Sequence, residues 1–408
     1  MLRPYERLLK YVTYDTQSME DSDTFPSTKK QWDLLKELRE ELIAIGARNV
    51  ELDENGYLYA TVPASKGNED KPVLAFLAHV DTAPDASGTN VRPRVIENYD
   101  GGDIRLNENT VTRVELFPEL KKYVGKTLVV TDGTTLLGAD DKAGVAEIMC
   151  MAERLINEPS IPHPEIRVIF SPDEEIGMGM AKINTEKVGA SFAFTVDGGP
   201  CGEFNFETFN ADAARVTING VSVHPGYAYG IMKNASLIAM EFNALLPTRE
   251  VPAATFSRYG FYHLTEMKGS VEKAELKYIL RDHDPSKLNM RGEMVKKAAG
   301  YLNEKYGEGT VTVEISHTYR NMAEVLIPDH EDKLEMVREA HRELGIKLME
   351  LPVRGGTDGS ALSFMGIPCP NLGTGGHACH GVNEFICAES MDQVTELLLH
   401  ICGKFTDV

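Results

Sequence analysis

Pro72-Val73-Leu74-Ala75-Phe76-Leu77-Ala78 is an almost unbroken apolar run of strand length, and it stops at His79-Val80-Asp81. A strand with apolar residues at consecutive positions has both faces to bury, as in a parallel sheet covered by helices on two sides. Residues 166–170 and 192–196 repeat the pattern and end on Ser171-Pro172-Asp173-Glu174-Glu175 and Asp197-Gly198-Gly199. Ligands of open α/β sheets collect beyond the carboxyl ends of the strands. One polar ending of this kind is easily coincidence, whereas the recurrence of His or carboxylate at the same end predicts a shared site.

Around these runs the chain alternates between helical and strand patterns. Leu35, Leu38, Leu42 and Ile45 recur at three- and four-residue spacing after Pro26-Ser27 and before Gly46, which predicts an amphipathic helix. Residues 50–52 and 57–62 read as a hairpin, with Asn55-Gly56 supplying both positive-φ positions of a tight turn. From about residue 210 the texture changes. Strands are expected at 213–220, 261–271, 275–282 and 310–316, with helices at 235–246 and 285–306, giving the β-α-β-β-α-β order of a ferredoxin-like unit. A further charged amphipathic helix follows at 331–344. At 408 residues the chain exceeds what one core usually holds. We therefore expect an α/β catalytic domain over 1–208, an inserted α+β lid over 209–320, and the remainder of the catalytic domain over 321–408.

Gly138-Ala139-Asp140-Asp141-Lys142-Ala143-Gly144 follows the apolar-rich run 127–137 and precedes a helical pattern at 145–155. Adjacent carboxylates at a strand-to-helix junction repel each other and call for a cation, and the flanking glycines let backbone approach closely. The candidates for a metal centre are His79, Asp81, Asp140, Glu174, Glu175, Asp197 and His380. Imidazole and carboxylate without thiolate suit zinc, manganese or cobalt, and the donors outnumber what one four-coordinate ion takes. Two ions bridged by a carboxylate are favoured, with a water between them made acidic. In the adjacent pair Glu174-Glu175, one carboxylate can bind metal while its neighbour shuttles the proton of an amide hydrolysis. In His79-Val80-Asp81, alternation on an extended strand puts both side chains on one face, so Asp81 can accept the second ring N–H of His79.

His79-Val80-Asp81, the 138–144 stretch, Asp173-Glu174-Glu175, Asp197-Gly198-Gly199 and His380-Gly381 together resemble, in order and rough spacing, the co-catalytic zinc exopeptidase and deacylase family called M20. Phe261-Tyr262-His263-Leu264, Arg354-Gly355-Gly356-Thr357-Asp358-Gly359 and residues 364–371 are similar to its tripeptide aminopeptidases. The resemblance implies a three-layer zinc-exopeptidase-like catalytic domain with a ferredoxin-like lid. It implies two Zn²⁺ per subunit, with Mn²⁺ or Co²⁺ as substitutes. His79, Asp140 and Asp197 would hold one ion and Asp140, Glu175 and His380 the other, with Glu174 as general acid/base and Asp81 behind His79. His224, in His224-Pro225-Gly226, would polarise the scissile carbonyl or steady the oxyanion; Arg281 and Arg354 are candidates to clamp the peptide carboxylate, with a surface ion pair as the alternative for each. Asp141 and His377 fall outside the ligand positions. Family members with the same centre also include dipeptidases and N-acyl-amino-acid deacylases, and a non-catalytic metal-binding scaffold is the remaining alternative, opposed by the intact Glu174.

Composition removes other classes. A formal net charge of −20 opposes nucleic acid and anionic membranes as partners, and no apolar run nears the roughly 20 residues of a membrane span. Small peptides are the expected substrate, and a homodimer stays open. Residues 1–10 lack the apolar core of a secretory signal, and the six cysteines show no C-x-x-C spacing, so a cytoplasmic location with structural thiols is expected. No G-x-G-x-x-G, P-loop or H-E-x-x-H occurs.

Overall fold

The strand Leu74–His79 is buried along its whole length. Leu74, Phe76 and Ala78 face one apolar cluster and Ala75 and Leu77 another, so the run needs helices on both sides. The structure, a computed structural model, describes residues 1–407. The described chain forms two compact units, one from residues 1–206, 322–351 and 357–407, the other from 207–321 and 352–356.

In the first unit Leu74–His79 lies between Ile166–Ser171 and Phe192–Val196, parallel to both. They form the middle of an eight-stranded mixed sheet whose remaining strands are Arg48–Leu52, Leu58–Val62, Asn371–Leu372, Glu203–Asn205 and Met349–Glu350. The parallel register aligns the strand ends, with His79 opposite Ser171. One face is covered by the helices Pro4–Tyr11, Gln31–Ile45, Ala139–Asn157 and Ala388–Lys404, which supply Leu8, Leu38, Ile148 and Leu398 to the larger cluster. The other face packs Tyr57, Leu77, Ile169 and Ala193 with Leu362 of the helix Asp358–Phe364.

The second unit has the strand and helix order Asn210–Asn219, Ala235–Ala244, Phe261–Gly269, Lys273–Asp282, Pro285–Tyr306 and Val311–Tyr319. Its sheet is antiparallel throughout, with Asn210–Asn219 and Lys273–Asp282 central and the other two strands at the edges, the ferredoxin-like arrangement. Val216, Leu276 and Leu280 meet Phe242 and Val295 of the helices in a core of its own.

Several local expectations are corrected. Only Gly56 of Asn55-Gly56 has positive φ, because the turn is longer than two residues and the Asp53 carboxylate closes it by accepting from the N–H of Asn55 and Tyr57. The helix after Pro26-Ser27 has Lys30 as its N-cap, and Ser27 donates to Asp173. The run 127–137 contains only the short strand Leu128–Val130, which lies in a separate four-stranded sheet, so Asp140 is reached through a loop and not from a strand of the main sheet. The helix expected at 331–344 starts at Ala323 and carries Pro328 inside, with a non-helical break at His330 that hid its first turns from the periodicity.

Candidate metal centre

His79 ends its strand buried, with Nε2 3.2 Å from Asp140 Oδ1 and 3.6 Å from Asp197 Oδ1. His380 presents its own Nε2 to the other oxygen of Asp140 at 3.4 Å and to Glu175 Oε2 at 3.0 Å. Asp140 thus stands between two imidazoles, one oxygen to each. Asp140 comes from the start of the helix Ala139–Asn157, Glu175 from the turn after Ile166–Ser171, Asp197 from the end of Phe192–Val196, and His380 from a loop in which its φ is 62°.

The backbone is held where these side chains require it. Asp81 Oδ1 lies 3.2 Å from His79 Nδ1 and accepts from the Glu174 N–H, and its Oδ2 accepts from the Glu175 N–H. One buried carboxylate therefore orients the His79 ring and the turn bearing both glutamates. Asp173 accepts from Ser27 and Gln31 and fixes the other side of that turn. Glu384 accepts from the N–H groups of Leu137, Gly138 and Asp140, gripping the loop before Asp140. Gly144 lies so close to Phe192–Val196 that a Cβ would sit 1.9 Å from Val196 O. Glu384 had no assigned role from the sequence, although it stands four residues beyond His380. Asp358 was missed likewise, and its carboxylate accepts from Ser171 Oγ at 3.1 Å.

Burial and mutual repulsion dominate the electrostatics. Burial holds the Glu174 carboxyl well above its ordinary range, with Asp358 the leading charged neighbour. Burial pushes Glu175 up to about 7 and raises Asp197, while the His380 and His79 rings overcome burial at Asp140 and depress it. Against its own burial, His79 is raised by Asp197, Asp140 and Asp81, and contacts with Asp140 and Glu175 lift His380 to about 11.

These residues fit a cation. Among the described residues the ion-pair partners of Asp140, Asp197 and Glu175 are imidazoles alone, and Glu175 Oε1 is buried with no partner. His79, Asp140 and Glu175 bring ligand atoms within 4.8 Å of one another, and so do His79, Asp141 and Asp197. Asp141, set aside in the sequence, is therefore within reach as well, but its oxygens accept from the N–H groups of His79 and Gly144.

The substrate-binding candidates belong to the second unit. His224 is exposed, with Nδ1 accepting from the Gly226 N–H. Arg281 donates to Asp212 O and Leu280 O with its guanidinium over Tyr319. Arg354 donates to Ser257 O, Tyr259 O and Thr255 Oγ1, between the rings of Phe209 and Phe261. Neither arginine pairs with a carboxylate among the described residues. His377 is buried against Phe385 and contacts the Tyr123 hydroxyl at 2.6 Å, a packed core histidine pushed down to about 4 by burial.

The profile of Peptidase family M20/M25/M40 matches residues 129–404. A Halothermothrix orenii protein called Peptidase T is 49% identical over 403 residues, 98% of each chain. The chain belongs to peptidase family M20. It is a peptidase, with the mixed α/β fold of that family. The aminopeptidase PepT of Bacillus cereus superposes with a TM-score of 0.78 at 23% identity, covering 99% of this chain and 98% of that one. A Bacillus subtilis protein described as a dinuclear metal binding peptidase from the M20 family superposes at 0.65 and 16% identity, covering 98% and 96%. No helix among the described residues is long and apolar enough to cross a membrane.

Proposed function

We propose that this M20 peptidase is a two-metal aminopeptidase that releases the N-terminal residue of tripeptides. The observation that carries the reading is Asp140 offering one oxygen toward His79 and the other toward His380, which is what a bridging carboxylate must do. Relatives named Peptidase T at about half identity along the whole chain support the substrate class. His79, Asp140 and Asp197 would hold one ion and Asp140, Glu175 and His380 the other. Zn²⁺ suits these donors, and Mn²⁺ or Co²⁺ would substitute. Bound ions would supply Lewis-acid polarisation of the scissile carbonyl and acidify a water.

The chain's own residues then move the proton. Glu174, whose carboxyl is raised by burial, takes the proton of the attacking water and returns it to the leaving amine. Asp81 keeps Glu174 and the His79 ring in register through its contacts to both. His224 is assigned to the developing oxyanion, and Arg281 and Arg354, free of carboxylate partners, to the peptide carboxylate. The same reading places the enzyme in the cytoplasm, as monomer or homodimer, acting on small peptides and not on nucleic acid or membranes.

The test is to incubate zinc-loaded protein with di-, tri- and tetrapeptides and with N-acylated versions, and to identify the products. Release of the first residue from free tripeptides is expected. Preferential cleavage of dipeptides, or of N-acyl amino acids, would reassign the chain to another activity of its family.

A further inference from the structure

An aminopeptidase must sense a free ammonium group, and the metal centre as described leaves few carboxylates to do so. Asp81, Asp141, Asp173 and Glu384 are each saturated by backbone or side-chain donors of the fold. Asp358 is tied to Ser171, and Glu174 is reserved for the proton. Asp85 is different. It is 63% exposed, and its Oδ2 lies 3.4 Å from His380 Nδ1, on the ring edge opposite the one that meets Asp140 and Glu175.

Asp85 lines a cavity of about 630 Å³ together with Gln17, Met19, Glu20, Pro84 and Glu175. The volume is in the range of roughly 300–1,000 Å³ usual for small-ligand sites. At its inner end is Glu175, with a side chain only 6% exposed and an Oε1 that has no partner. Among the described residues Lys30 is the one Lys or Arg on the cavity wall and it pairs with Asp15 at 2.9 Å, which leaves Glu20 without an ion-pair partner and Asp85 with the His380 ring alone. The loop bearing Asp85 is also preset. The Gln17 amide donates to Ala83 O at 3.0 Å and to Ala86 O at 2.8 Å, bracketing Asp85, and the Ser18 N–H donates to Thr82 O.

Resting on the aminopeptidase reading above, we propose that this cavity receives the first residue of the peptide and that Asp85 binds its α-ammonium. An amino nitrogen lies about 2.5 Å from the carbonyl carbon of its own residue. An ammonium held by Asp85 therefore keeps that carbonyl alongside the His380 ring, whose far edge meets Asp140 and Glu175. Met19 and Pro84 give the side chain an apolar wall, and the volume of about 630 Å³ leaves room for residues of differing size.

The test is Asp85→Asn, with Asp85→Glu as the conservative control. Three readouts are taken: kcat and KM on a free tripeptide, metal content, and calorimetric binding of a hydrolysis-resistant tripeptide analogue beside its des-amino counterpart. Wild type should prefer the free amine at least tenfold. Asp85→Asn should raise KM and Kd for the free-amine ligand about 10- to 100-fold, the scale of a hydrogen bond between charged groups, leave kcat within about threefold, keep both metals and lose the discrimination. Asp85→Glu should recover part of it. A fall in kcat or metal content at unchanged KM would overturn the proposal by making Asp85 a support for His380, and undiminished discrimination in Asp85→Asn would place the amine elsewhere. A wild-type enzyme indifferent to the amine would instead sink the aminopeptidase reading itself.

Discussion

Glu174 and Glu175 are neighbours in sequence, both raised by burial, but they have different partners. Glu175 meets His380, whereas Glu174 is raised by burial and has Asp358, another carboxylate, as its main charged neighbour. Glu174→Gln keeps the shape and removes the base, so turnover should fall at least about 10²- to 10⁴-fold while two metals remain bound by elemental analysis. Loss of a metal would mean the two glutamates have exchanged roles. His224→Ala should lower kcat by about 10² with little change in KM, the scale of one lost oxyanion donor. An effect confined to KM would make His224 a ground-state binding residue. Glu147 offers a stability test away from the chemistry. It is buried in the helix Ala139–Asn157 with neither oxygen partnered, and burial holds its carboxyl well above the ordinary 4.5. Because the folded pKa is the higher one, folded and unfolded chains are equally protonated below about 4.5. As pH rises past that value the unfolded chain ionises first, and stability falls. Glu147→Met should therefore stabilise by about 1–3 kcal/mol at pH 8 and by less at pH 5, read by urea unfolding of the metal-loaded proteins.

At the scale of elements, the centre depends on how closely the helix Ala139–Asn157 lies against the strand Phe192–Val196. Gly144 permits that approach, since a Cβ would meet Val196 O at 1.9 Å and Asp141 Oδ1 at 2.6 Å. The clash is with backbone, which cannot swing aside. Gly144→Ala should push the helix off the strand that ends at Asp197, displacing Asp140 relative to Asp197. The expected result is loss of at least one metal and a less stable fold, seen in metal analysis and thermal unfolding. Full metal content with wild-type stability would show that the helix can shift at no cost. Glu384 works at the same scale, joining the His380 loop to the Asp140 loop through three N–H groups, so ligands distant in sequence move as one body.

For the whole molecule, the large apolar cluster of the first unit borders the metal centre at Ala78, Val80, Ala139 and Val196 but extends far beyond it, through Leu8, Leu38, Val337 and Leu398, so folding should survive without ions. Chelation is expected to abolish hydrolysis, with zinc restoring it and far-UV helical signal retained throughout. The transition should still move to lower temperature in the chelated protein, because ions that bind only the folded state stabilise it and because the packed carboxylates then lose their counter-charge. Global unfolding on chelation would contradict this. The apolar runs ending in His79, Glu174 and Asp197, and the periodic helices around them, were legible in the sequence because burial on both faces of a strand and periodic burial on a helix each leave a local signature. The β-α-β-β-α-β order of the inserted unit was legible for the same reason. The turn around Gly56, the partner of Ser27 and the short strand inside residues 127–137 were not, since neighbours in space set them. The sequence by itself determined which residue types were available and that His79, Glu174, Glu175 and Asp197 would follow three buried strands. Only the tertiary structure decided that Asp81 steadies both glutamates, that Glu384 grips the Asp140 loop, and that Asp85 meets His380 beside an open cavity. Those contacts join residues far apart in the chain, and no local pattern of propensity or hydropathy encodes a hydrogen bond between them.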